Sequence, residues 1–93
     1  MRKIERTTRF RRDYKRETKK FGKSVLETSF IPTLHLLCTD ASLPEKYADH
    51  ALSGNWKDYR DCHIKPDLVL IYQKPDNESL LLVRLGSHSE LGL

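Results

Sequence analysis

The chain has 93 residues, enough for one domain with a single core and too few for two. Its hydrophobic residues, 38% of the total, gather in short runs. This excludes a globally disordered chain and leaves no stretch long enough to cross a membrane. The net charge of +4 is unevenly spread: residues 1–23 hold eleven of the seventeen Lys and Arg against three acids, a local +8, while the remaining seventy residues carry −4.

The opening "RKIERT", residues 2–7, reads as a short charged strand. From Thr8, a candidate N-cap, Phe10, Tyr14 and Phe21 recur at intervals of four and seven, a narrow apolar stripe on a cationic helix that Gly22 stops. A second helix opens at "SVLE", where Ser24 and Glu27 have capping-box spacing. Val25, Leu26, Phe30, Ile31, Leu34, Leu37 and Cys38 form its apolar face, with His35 beside them as a structural residue. Pro32 predicts a bend or break, because it lacks an N–H and its ring crowds the preceding turn. Residues 39–55 read as a loop long enough to carry function.

The period then drops to two. Strands are expected over 56–64, 68–73 and 79–85, joined by "KPD" and "KPDNE", turns so short that neighbouring strands must be antiparallel. The expected fold is therefore α+β, in the order β-α-α-β-β-β: one domain, 1–93, with two N-terminal helices packed on a small antiparallel sheet. Cys38 and Cys62 fit neither CxxC nor zinc-finger spacing and read as small buried hydrophobes of a chain kept in a reducing cytosol.

Along 56–64 the side chains alternate, so Cys62 and Ile64 suit the core while Asp61 and His63 face the open side. Asp67, just past the Pro66 turn, returns to the same end of the sheet. The last strand brings Arg84, and Gly86 and Ser87 lead on to His88. His50 precedes the first of these strands. Three of the four histidines can thus meet near one sheet end with Arg84 and two aspartates, an acid-base set with a cationic anchor. A metal site would lack the close H-x-x-x-H pair, and a Ser-His triad from "GSHSE" would lack the sharp turn that exposes a nucleophile. Each of these residues also fits an ordinary solvated strand or helix position.

The run "LPEKYADHALSGNWKDYRDCHIKPDLVLIYQ", followed by "LLLVRLGSHSEL", resembles the YafQ branch of the RelE/ParE superfamily, toxins of bacterial type II toxin–antitoxin pairs. The likeness covers essentially the whole chain and is densest from Leu43 to Asp67. It implies a RelE-like fold and a cytoplasmic bacterial mRNA endoribonuclease acting in the ribosomal A site, with no cofactor and no metal. By position, the resemblance puts His50, His63, Asp67 and His88 at catalytic positions, Asp61 as a supporting carboxylate and Arg84 as the phosphate-stabilising cation. RNA and ribosome contacts would fall to Arg9, Arg11, Arg12, Lys15, Arg16, Lys19, Lys20 and Lys57. The implied partners are the ribosome with its mRNA and a small, partly acidic, DNA-binding antitoxin.

Two departures bear on substrate positioning. Leu68 stands where an aromatic residue often follows the P-D step, and the chain ends "ELGL" without the C-terminal aromatic. A ParE-like inhibitor of gyrase that cleaves nothing, a ribosome-independent RNase and a plain RNA-binding module remain as alternatives. The histidine cluster tells against a binding-only protein, which has no need of imidazoles at one sheet end.

Overall fold

The first strand lies beside the last: β1 (Lys3–Arg6) runs parallel to β5 (Ser79–Gly86) in a computed structural model that describes residues 1–93. The sheet order is β1-β5-β4-β3-β2, with β2 (His50–Ala51), β3 (Arg60–Lys65) and β4 (Leu68–Gln73) antiparallel to their neighbours. The two short turns enforce the β3–β4 and β4–β5 hairpins. No such constraint joins β1 to β5, so the sheet is mixed rather than wholly antiparallel.

Helix α1 (Thr8–Phe21) is capped one residue earlier than expected: the Thr7 hydroxyl oxygen accepts from the Phe10 N–H at 3.0 Å. Gly22, at φ 86°, ends it, and α2 (Lys23–Cys38) starts at once. Ser24 therefore lies inside the first turn of α2, and the capping box with Glu27 does not form; Gly22 takes the N-cap position with no side-chain bond. Pro32 does not divide the helix. It sits on the exposed side, where its ring meets solvent instead of a packed neighbour, and α2 runs on to Cys38.

Leu26, Phe30, Thr33, Leu37 and Cys38 form the buried stripe of α2, while Val25 and Ile31, expected in the core, are 52% and 54% exposed. Their positions fall outside the arc that touches the sheet. His35 is likewise exposed rather than a packed structural residue.

Both faces of the sheet are covered. Helices α1 and α2 bury one face, where Phe10, Leu26, Phe30, Leu37 and Cys38 meet Cys62, Ile64, Leu68, Leu70, Tyr72, Leu80, Leu82 and Leu85. On the other face, Val69, Ile71, Val83 and Leu91 are overlaid by Leu52, Trp56 and Tyr59. The strand expected from Trp56 begins instead at Arg60, because Gly54–Trp56 forms a 3₁₀ turn that sends the Trp56 ring edge-on against Tyr59, centroids 5.6 Å apart.

A short last helix, α3 (His88–Leu91), follows β5, and its end buries Leu91. Both cysteines are free and buried, and burial pushes the Cys62 thiol far above its ordinary value. No helix is long and apolar enough to cross a membrane.

Candidate active site

Residues directly opposed in a sheet project from the same face. The register aligns His50 with Asp61, Asp61 with Ile71, and Ile71 with Arg84, one row crossing β2, β3, β4 and β5. The neighbouring row aligns His63 with Val69 and Val69 with Gly86. Val69 and Ile71 belong to the face opposite α1 and α2, so this is the face on which the polar groups gather.

His50 stands on the short edge strand β2, preceded by Ala48 in the left-handed region at φ 47°. That turn aims the Ala48 carbonyl at His50 Nδ1, 2.8 Å away; Asp61 Oδ1 lies 2.9 Å from the same nitrogen. The carbonyl takes the better-aligned bond, and the Asp61 oxygen stands beside the ring as a charge with no donor well directed at it. Both neighbours are acceptors, so Nδ1 carries the proton and Nε2 is left free on a half-exposed ring.

Asp61 itself is 2% exposed, which corrects the expectation that it lies open beside His63. The layer of Leu52, Trp56 and Tyr59 encloses this face where alternation alone predicts solvent. Burial raises the Asp61 carboxyl above its ordinary range, and the nearby His50, His63 and His88 offset only part of that rise.

His88 opens α3. Ser87 caps this helix through a complete capping box, accepting from the Glu90 N–H at 3.1 Å while the Glu90 carboxylate accepts from the Ser87 N–H at 2.9 Å. Asp67, in the β3–β4 turn, accepts from both the His88 backbone N–H at 3.0 Å and His88 Nδ1 at 2.7 Å. These two bonds from His88 hold the Asp67 carboxyl below its usual range. The His88 ring again presents Nε2 unoccupied. His63, half-buried on β3, meets the His88 ring nearly edge-on, centroids 5.0 Å apart and planes at 77°.

Arg84 is in the His50–Asp61 row, with its side chain 12% exposed and its guanidinium held by Asp13 of α1. Of the cations expected to meet RNA, Arg9, Arg11, Arg12, Lys15, Lys19, Lys20 and Lys57 are exposed. Arg16 has other work: it bonds Asp13, Glu17 and the Leu85 carbonyl and faces Glu90. Lys20 stands close enough for its charge to lower both Asp67 and Glu90.

Sequence reasoning missed three supports of the site. The S-x-x-E spacing of Ser87 and Glu90 announces the α3 cap. Asp13, a lone acid next to the apolar stripe of a basic helix, is a weaker signal. Asp49 lies beside His50 in the densest part of the family likeness, yet its partners are not legible there: it accepts from the buried Tyr72 hydroxyl and from Arg60, on strands β4 and β3, pinning the loop that carries His50. No three His, Cys, Asp or Glu side chains converge in an arrangement that could hold a metal ion.

The family model described as "Bacterial toxin of type II toxin-antitoxin system, YafQ" matches residues 2–92. The mRNA interferase toxin YafQ of Escherichia coli K12 is 38% identical over 91 residues, spanning 95% of this chain and 97% of its own length. Among solved structures, a metal-bound toxin from Helicobacter pylori superposes with a TM-score of 0.86 at 43% identity, covering 98% of this chain and 99% of that one. The E. coli DinJ-YafQ complex gives a TM-score of 0.82 at 34% identity, with 98% of each chain covered.

Proposed function

The chain belongs to the YafQ family of bacterial type II toxins, and from that membership we propose how its site cuts mRNA. It is the toxin of a toxin–antitoxin pair, an mRNA interferase. One imidazole Nε2 removes the proton of a ribose 2′-OH, and the oxygen attacks the adjacent phosphorus. The P–O5′ bond breaks, and a second, protonated imidazole gives its proton to the departing 5′-oxygen. The products are a 2′,3′-cyclic phosphate and a 5′-OH end.

The observation that carries this reading is the pair of imidazole–carboxylate couples, His50 with Asp61 and His88 with Asp67. Nδ1 is held by the Ala48 carbonyl in His50, with Asp61 beside it, and by Asp67 in His88, so Nε2 is free on both rings, and His63 lies against His88. Imidazoles titrate near neutral pH, so they serve as base and as acid, each contributing ~10²–10⁴ in rate. Arg84, in the same row as His50 and Asp61, stabilises charge building on the phosphate. In this reading every proton transfer runs through an imidazole.

The exposed cations of α1 together with Lys57 dock the toxin on ribosomal RNA through phosphates, contacts that carry little sequence information. The cognate partner is an antitoxin, as in the DinJ-YafQ complex of E. coli.

The deciding experiment is mRNA cleavage on translating ribosomes. His63→Ala and His88→Ala should each cut ~10²–10⁴-fold more slowly than wild type, and activity should persist with a chelator that removes transition metals and spares the Mg²⁺ the ribosome needs. Undiminished cleavage by both variants would overturn the histidine mechanism, and loss with that chelator would overturn its metal-free form.

A further inference from the structure

Asp13 is an acid in the most basic segment of the chain, and it is 4% exposed. Four donors converge on its carboxylate. Arg84 gives Nε–H to Oδ2 at 2.7 Å and Nη2–H to Oδ1 at 3.3 Å. The Leu85 backbone N–H reaches Oδ2 at 3.0 Å, and Arg16 Nη1–H reaches Oδ1 at 2.9 Å.

Tying α1 to the sheet accounts for only part of this set. Beyond Leu82, β1 no longer covers β5, and the bare edge is taken up by α1: Asp13 receives the Leu85 N–H while Arg16 Nη2 donates to the Leu85 carbonyl at 2.8 Å. Those two bonds already seal the edge. The fork made by Arg84 adds a second link between α1 and β5 and does more than that. It fixes a guanidinium that would otherwise swing on a long, rotamer-rich stem, and a planar fork gripped by a buried carboxylate has one orientation.

We infer that Asp13 is a positioning residue for catalysis, gripping the Arg84 guanidinium beside the end of β5 so that it keeps one orientation as charge develops on the phosphate. This rests on the reading of Arg84 as the phosphate-stabilising cation. The grip uses Nε and Nη2 and leaves Nη1 without a partner in the protein. A preorganised cation does not reorient at the moment of reaction, which is where electrostatic catalysis gains its advantage.

The test is a double-mutant cycle in cleavage on translating ribosomes, with Asp13→Asn, Arg84→Ala and the pair. Asp13→Asn keeps the shape and an acceptor for the Leu85 N–H, and releases the charge that grips Arg84. It should lower kcat by about 10²-fold, the scale of a misplaced catalytic group. KM should stay within about twofold, because the missing interaction acts in the transition state. In the Arg84→Ala background, Asp13→Asn should cost nothing further, whereas a merely structural role would lower activity by the same factor in both backgrounds.

Additive losses, a change confined to KM, or an unaffected kcat in Asp13→Asn would overturn the inference. If Arg84→Ala cleaves like wild type, the catalytic reading of Arg84 falls; if Arg84→Ala is impaired and Asp13→Asn is not, this inference alone fails. A measurement on the unaltered protein guards against a variant that does not fold. The Arg84 Nε–H should be protected from solvent exchange in ¹⁵N spectra, and exchange as fast as that of the exposed Arg9 or Arg12 would overturn the proposal.

Discussion

Two aspartates in this molecule titrate in opposite directions, and the contrast gives a pair of pH predictions. Burial weakens the charged form of Asp13, but the Arg84 and Leu85 hydrogen bonds and the Arg84 and Arg16 charges outweigh it, so its folded pKa is lowered. Its contribution to stability is therefore present above the unfolded value near 3.8 and is lost as pH falls through the folded pKa. Asp13→Asn should be less stable than wild type at pH 7, with the gap in Tm closing as the solution is acidified. For Asp61 burial wins, and the folded pKa is raised. The carboxyl's favourable contribution is fully present below the unfolded value and disappears as pH rises through the folded one, so at neutral pH the ionised group weighs against folding. Asp61→Asn should thus melt higher than wild type at pH 7 and no higher below about pH 4, while cutting mRNA ~10²-fold more slowly for want of the charge beside the His50 ring. A lower melting point at pH 7 would show that the His50 pair outweighs burial.

At the scale of elements, α2 and α3 show how far local rules reach. Pro32 gives Thr28 no N–H to accept and crowds the turn before it, yet α2 continues because Leu26, Phe30, Leu37 and Cys38 lock both halves onto one sheet face. An interior proline costs a helix about 3 kcal/mol relative to alanine. Its ring is exposed, so removing it loses little packing, and Pro32→Ala should raise Tm measurably in a thermal melt. Helix α3 has four residues and depends on its cap to present His88. Ser87→Ala should cost ~1 kcal/mol of local stability, seen as faster amide exchange in residues 88–91. It should also lower cleavage, because Asp67 then holds a fraying His88.

Over the whole molecule, charge is segregated. Exposed cations run along α1, and towards its C-terminal end Lys20 stands near the Asp67 and Glu90 carboxylates beside His88. Replacing Arg9, Arg12, Lys15 and Lys19 with Gln should weaken ribosome binding and flatten its salt dependence, by ~0.7–0.9 in log–log slope for each phosphate that is no longer neutralised. Single-turnover cleavage of mRNA already bound should hardly change. An unaltered salt slope would remove α1 from the docking surface.

The amino-acid sequence by itself determined the order of the two long helices and of β1, β3, β4 and β5, the hairpins and the family resemblance, because turn length, period and a dense motif are local properties of the chain; it showed neither β2, within the expected loop 39–55, nor α3. Alternation also assigned Asp61 and His63 to one face and Cys62 and Ile64 to the other. Only the tertiary structure decided that this face is roofed by Leu52, Trp56 and Tyr59, so that Asp61 is buried. It likewise decided that β1 pairs in parallel with β5 and that Arg16 is drawn into ion pairs. Asp13 and Arg84 meet across 71 residues of chain. Burial and long-range pairing depend on which segments arrive beside one another, and a period of two or of 3.6 carries no record of that.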